Sequence, residues 1–196
     1  MSELVLASAS SRRRELLAQI GVSCRVQPAG IDESRWAGES AVDYVARMAG
    51  EKAAAVAAVA GDGCVVLAAD TSVVIDDDVL GKPTDHFDGL AMLACLSGRT
   101  HEVMTAVCLC RGGRVLEEVV TTRVTFATLG RQLCEAYLAT AEPWDKAGAY
   151  GIQGLGAVLV SAIEGSYSNV VGLPLAETWR MLTALGVATG LDAPRE

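Results

Sequence analysis

Leu4-Val5-Leu6-Ala7-Ser8-Ala9-Ser10-Ser11-Arg12-Arg13-Arg14-Glu15-Leu16-Leu17-Ala18-Gln19-Ile20-Gly21 reads as a strand, a turn of small residues and a helix. Leu4 to Ala7 is the apolar strand run, and Leu16, Leu17 and Ile20 give Arg12 to Ile20 helical spacing. Gly21 closes the helix as a C-cap. Such a strand–turn–helix unit presents free backbone N–H groups to an anion. The three arginines sit at the positive end of the helix dipole, where a cation costs a few tenths of a kcal/mol. A solvated charged face with serine caps accounts for a generic arginine triplet. An anion held between the dipole and the guanidinium groups would reverse the sign of that cost, and arginine offers bidentate bonds to phosphate.

Outward from this unit, Cys24 to Gln27 reads as a second strand ending in the loop Pro28 to Ser34. Ser40 and Asp43 resemble a capping box that opens a helix from Ala41 to about Ala60. Cys64 to Ala69 is a continuous apolar run, predicting a buried strand that ends at Asp70-Thr71; Val73 to Ile75 stays extended. Asp76-Asp77-Asp78 predicts a turn, and Asp85 the cap of a helix through Leu96. Arg111-Gly112-Gly113-Arg114 joins two β-branched runs within Glu102 to Ala127, a hairpin signal. Leu133 to Leu138 reads as helix, Val158 to Ile163 as strand, and Pro174 opens a last helix. Strands and helices interleave, so the fold class is mixed α/β.

The chain has 196 residues, 51% hydrophobic and 20% charged, enough for the core of one folding unit. Its net charge of -8 argues against a polynucleotide partner. A small phosphorylated ligand needs only a local cluster of cations. Six scattered cysteines without a CxxC pair, no secretory signal and no apolar run of about 20 residues predict reduced thiols, a cytoplasmic location and no membrane contact. Cys108 and Cys110 share one face of a strand and are expected to pack. With only His86 and His101, a histidine-rich zinc site is disfavoured, and any metal should be a hard one held by oxygen.

Asp70, directly after Val65-Val66-Leu67-Ala68-Ala69, is the strongest single candidate, because α/β folds place ligands at the carboxyl ends of strands. A second carboxylate nearby would allow oxygen-only coordination of a cation shared with phosphates, whereas Asp32-Glu33, in a loop after a strand, reads by itself as a solvated acidic pair. Lys52 lies within a helix and reads equally as a surface lysine. Lys82, between Gly81 and Pro83, occupies a constrained loop that lacks the remaining residues of a P-loop. Gln153, between Ile152 and Gly154, offers both a donor and an acceptor. The glycines around it are explained as well by turns as by a ligand.

The ordered set Leu6-Ala7-Ser8-Ala9-Ser10-Ser11-Arg12-Arg13, Asp32-Glu33, Glu51-Lys52-Ala53, Ala69-Asp70-Thr71, Gly81-Lys82-Pro83, Leu96-Ser97-Gly98, His101-Glu102-Val103, Lys146 to Gly154 and Glu164 to Leu175 resembles the Maf family. The resemblance runs from about Leu4 to Leu185. It implies an elongated mixed sheet flanked by helices, similar to inosine triphosphatase-like enzymes. It also implies one domain over 1–189 with two lobes around a central cleft, and a homodimer; the loss of apolar periodicity over Gly190 to Glu196 separately predicts a flexible tail over 190–196. The implied activity is metal-dependent hydrolysis of a nucleoside triphosphate to the monophosphate and pyrophosphate, with Mg²⁺ or Mn²⁺. Ser8, Arg13, Lys52 and Lys82 correspond to the family's phosphate-binding residues. Glu33 and Asp70 correspond to its metal-binding acids, Asp70 being also the catalytic proton acceptor. Arg12, Thr71 and Gln153 match the selectivity residues of the dTTP/UTP branch, where the 7-methyl-GTP branch tends to carry Trp, Gln and Glu. Ser11 stands where many members carry proline, which loosens the turn and leaves the phosphate-facing residues intact. The alternatives are the same reaction on CTP, a modified pyrimidine triphosphate or 7-methyl-GTP, and a non-enzymatic nucleotide-binding regulator of cell division.

Overall fold

Helices begin where a side chain can meet a free amide. The computed structural model describes residues 3–61 and 63–192. Ser10 caps α1 (Ser11–Gln19) by accepting from the Arg13 amide. Ser40 caps α2 (Ala41–Ala60) by accepting from Asp43, and Asp85 caps α3 (His86–Leu96) by accepting from Asp88. Three more helices follow: α4 (Arg131–Leu138), α5 (Tyr167–Val171) and α6 (Leu175–Ala184), the last behind Pro174. No helix among the described residues is long and apolar enough to cross a membrane.

The strands are β1 (Leu4–Leu6), β2 (Arg25–Val26), β3 (Val65–Ile75), β4 (Asp78–Leu80), β5 (Thr100–Arg111), β6 (Arg114–Phe126) and β7 (Val160–Glu164). They form one seven-stranded sheet in the order β2-β1-β3-β5-β6-β7, with β4 paired to β3. β1 is parallel to β2 and to β3, with Leu4 opposite Val65 and Leu6 opposite Leu67. β4 runs antiparallel to β3, and β7 antiparallel to β6. The β5–β6 turn places Gly112 at φ 52 and Gly113 at φ 80, the left-handed pair that a two-residue hairpin loop requires. The sheet is therefore mixed and flanked by helices, as expected of the α/β class.

Several boundaries differ from the sequence reading, with physical causes. Asp70 does not end a strand: β3 pairs with β1 at Val65–Leu67 and with β4 at Val73–Ile75, so extended backbone continues through the polar residues between. The turn falls on Asp76 and Asp77 at φ 51 and 67, while Asp78 enters β4. The second strand shortens to Arg25–Val26. α4 starts at Arg131 rather than Leu133, and β7 starts at Val160 because Gly154–Leu159 coils into a 3-10 helix. Of the tail expected over 190–196, residues 193–196 lie outside the described residues. Gly190 donates to the Ile20 carbonyl at 2.8 Å, in close approach to Gly21.

The chain divides into two compact units. The first comprises Met1–Asp70, Thr105–Val120 and Gly172–Glu196. Its core is built from Leu6, Leu17, Met48, Leu67, Leu109 and Leu182, all fully buried. The second comprises Thr71–Met104 and Thr121–Val171. It packs Leu93, Leu96, Phe126, Leu138 and Leu159 around a buried aromatic group. There His101 Nε2 lies 2.8 Å from Tyr150 Oη, and Phe126 meets both rings edge-on at centroid distances of 5.0 and 4.7 Å.

Burial lowers the His101 pKa from 6.5 to about 4. The unfolded chain then binds one more proton than the folded chain between those two values. The contribution is complete above pH 6.5 and is lost as pH falls through the window, by roughly 3 kcal/mol at its lower end. Urea unfolding at pH 4.5 and 7.5 should show a smaller loss of stability in His101→Gln than in the parent. Equal losses in both proteins would remove His101 as the source.

Candidate active site

Lys52 lies on the buried stripe of α2, in helical register with Val45, Met48, Ala49 and Val56. It is 8% exposed, so it is not the surface lysine that its helix position equally allowed. A buried ammonium requires an anionic partner, and two carboxylates converge on it. Nζ donates to Asp70 Oδ1 at 2.7 Å and pairs with Glu33 Oε2 at 3.1 Å. Asp70 comes from the middle of β3 and is likewise 8% exposed. Glu33 comes from the loop after β2 and reaches the same nitrogen from a more exposed position.

Arg13 belongs to the same field of charges. Its Nε donates to the Gly172 carbonyl at 2.8 Å and its Nη1 to Ser8 Oγ at 3.0 Å. Burial lowers its pKa; the charge of Asp70 works in the opposite direction, that of Arg12 adds to the lowering, and Glu33 opposes it. The cost of placing cations at the start of α1 is thus partly offset by the Gly172 carbonyl dipole and by two carboxylates. Ser8 is buried and also accepts from the Ser10 amide, so the small-residue turn wraps one hydroxyl under the guanidinium. Arg12, next in the helix, is half-buried.

The loop carrying Glu33 is anchored by residues that the sequence reading did not single out. Arg47 grips Glu39 through two bonds of 2.6 and 2.8 Å, and its Nη2 donates to the Ser34 carbonyl at 3.0 Å. Tyr44 Oη donates to the Glu33 carbonyl at 2.9 Å, and the Arg47 guanidinium lies 4.0 Å over the Trp36 ring. The hydrogen bonds from Arg47 hold the Glu39 pKa down to about 2. Tyr44, Arg47 and Lys52 all project from α2, so one rigid element sets both ends of the Glu33–Lys52 contact. The Arg47–Glu51 spacing was legible as an i,i+4 pair. The grip on Glu39 needed the loop to fold back.

In the second unit, Thr71, within β3, is half-buried and Lys82 is exposed in the segment between β4 and α3. That segment is tied to the glycine-rich stretch, since the Gly148 amide donates to the Gly81 carbonyl at 2.9 Å. Gly148 sits at φ 69, and a Cβ there would meet Val73 at 3.0 Å, so strand and loop touch through its missing side chain. Gln153 is half-buried beside the buried Ile152.

The charges of the first unit suit a hard divalent cation in company with phosphate. Asp70 and Glu33 offer oxygen alone, the preference of Mg²⁺ and Mn²⁺. Among the described residues no group of three or more His, Cys, Asp or Glu is arranged to hold a metal. Two carboxylates are what a protein supplies when water and substrate phosphates complete the shell.

A model of the Maf family, described as Maf-like protein, matches residues 3–185. A dTTP/UTP pyrophosphatase of Anaeromyxobacter sp. is 55% identical over 196 residues, covering 97% of this chain and 93% of that protein. One from Escherichia coli O157:H7 is 51% identical over 183 residues, covering 93% of each. Among solved structures, a nucleoside-triphosphatase / dITP/XTP pyrophosphatase from Mycobacterium abscessus covers 95% of this chain and 100% of its own at 16% identity, with a TM-score of 0.44. With the family pattern running through both compact units and relatives above 50% identity over nearly their whole length, this chain belongs to the Maf family.

Proposed function

We propose that this chain is a nucleoside triphosphate pyrophosphatase that hydrolyses dTTP and UTP to the monophosphate and pyrophosphate. The observation that carries the reading is the buried ammonium of Lys52, held between Asp70 and Glu33 with Arg13 in the same field. In the free protein Lys52 pairs with both carboxylates, and Arg13 feels their charge. A triphosphate exchanges those partners: its oxygens take the N–H donors of Lys52 and Arg13, and the carboxylates are released. Mg²⁺ or Mn²⁺, held by Asp70 and Glu33, would neutralise phosphate charge and acidify water. Asp70 accepts a proton from the water that attacks the α-phosphorus in line. The bond from the α-phosphorus to the bridging oxygen breaks, and pyrophosphate leaves with its charge met by Arg13, Lys52 and Lys82. Ser8 keeps Arg13 aimed, and Arg12 and Thr71 are assigned to substrate binding.

Gln153 is assigned to the base. Its amide offers a donor and an acceptor, matching the mixed edge of uracil or thymine, whereas a glutamate would suit the donor-rich edge of 7-methylguanine. The enzyme is proposed to work as a homodimer in the cytoplasm, without a polynucleotide or membrane partner. With Mg²⁺ or Mn²⁺, pyrophosphate release is expected to be faster from dTTP and UTP than from CTP or 7-methyl-GTP. Orthophosphate as the product would place the reaction in another class. Gln153→Glu should narrow the preference for dTTP over 7-methyl-GTP by about tenfold or more, measured as the ratio of kcat/KM. An unchanged ranking would take Gln153 out of base recognition.

A further inference from the structure

We infer that Glu142 and Tyr137 form a clamp that positions the Gln153 loop and so sets nucleotide selectivity without touching the nucleotide. The inference rests on the assignment of Gln153 to the base.

Both ends of the stretch around Gln153 are tied to this one pair of side chains. On the N-terminal side, the Gly151 amide donates to Tyr137 Oη at 3.1 Å. The Tyr137 hydroxyl in turn donates to Glu142 Oε1 at 3.0 Å. On the C-terminal side, the Gly156 amide donates to the same Oε1 at 2.9 Å, and the Leu155 amide to Oε2 at 2.9 Å. Gln153 is the residue before the 3-10 helix Gly154–Leu159, whose first amides the carboxylate caps from 13 residues earlier in the chain. Burial of Glu142 acts to raise its pKa; the Gly156 and Leu155 amides, the Tyr137 hydroxyl and the Lys146 charge outweigh it, and the net shift is downward. The group thus stays an anion that accepts at both oxygens.

The glycines of the stretch are shaped to this carboxylate. A Cβ on Gly154, which sits at φ 66, would come within 2.7 Å of Glu142 Oε2. One on Gly156 would meet the Gly151 carbonyl at 2.1 Å and Tyr137 Oη at 2.7 Å, and one on Gly151 the Lys146 side chain at 2.7 Å. Backbone therefore closes directly on the clamp, and Gln153 is carried on a loop with little freedom to move. A glutamine at 142 has the same shape, but its NH₂ must face an amide N–H that now meets an acceptor, so the substitution opens the clamp by chemistry alone.

The test compares Glu142→Gln, Tyr137→Phe and Gln153→Ala in steady-state kinetics on dTTP, UTP, CTP and 7-methyl-GTP, with thermal midpoints measured alongside. Tyr137→Phe leaves Glu142 on the Leu155 and Gly156 amides and removes the hydroxyl that ties Gly151 to Glu142, so it serves even if Glu142→Gln does not fold. The expected result for either clamp variant is a KM for dTTP raised about tenfold, kcat changed less than threefold, and the kcat/KM ratio of dTTP to 7-methyl-GTP reduced as in Gln153→Ala. Uniform loss of kcat on all four nucleotides with the ratio unchanged would overturn the clamp while leaving the Gln153 assignment intact. A Gln153→Ala variant with the parental ranking would overturn the assignment itself, and the inference with it.

Discussion

Replacing Asp70 by asparagine is expected to lower kcat for pyrophosphate release from dTTP by about 10²–10⁴-fold, the range removed with a general base. The substitution is nearly isosteric and its consequences for the fold are small. The asparagine carbonyl can still accept from Lys52 Nζ, and Glu33 still provides an anionic partner to that buried ammonium at 3.1 Å. What disappears is a carboxylate able to take a proton from water and to share a cation. Binding of a non-hydrolysable dTTP analogue, followed by calorimetry, should stay within a few-fold of the parent because Arg13 and Lys52 remain as donors. The pair of measurements separates chemistry from binding. Turnover in Asp70→Asn within fivefold of the parent would remove Asp70 from the proton transfer.

Lys52→Met is expected to be the most damaging single change to the site as a whole. It leaves Asp70 and Glu33, both drawn to one point by Nζ, without the charge that holds them. Removing one partner of a buried pair leaves an uncompensated charge, and with Glu33 half exposed a loss of about 3 kcal/mol, the low end for such changes, is expected. With the same change the substrate loses a phosphate donor, worth about 10²–10³ in kcat. The two carboxylates are then no longer shared with an ammonium. Mg²⁺ or Mn²⁺ alone, without nucleotide, should raise the thermal midpoint of Lys52→Met more than that of the parent. A cation-induced shift no larger than the parent's would count against joint cation binding by Asp70 and Glu33.

Much of the architecture was legible in the order of residues. Ser40 and Asp85 announce the starts of α2 and α3, because a short oxygen-bearing side chain before an apolar stripe has a local partner three residues on. Gly112 and Gly113 mark the hairpin for the equally local reason that both must take a positive φ. Local chemistry fails at β3. The polar Asp70-Thr71-Ser72 looks like a strand end, yet extended backbone continues, because β4 returns to pair with Val73–Ile75. α5, at five residues, is too short to leave a period.

The sequence by itself determined the α/β class, the helix starts and the kinds of group available for phosphate chemistry, since those follow from contacts within a few residues. Only the tertiary structure decided which groups meet. It turned Lys52 from one lysine on a helix into the ammonium between Asp70 and Glu33, and set Arg13 against the Gly172 carbonyl. It also folded the stretch around Gln153 onto the carboxylate of Glu142. The physical reason is burial: a charge removed from water must find its partner wherever the packed chain brings one, and no spacing along the chain records that distance.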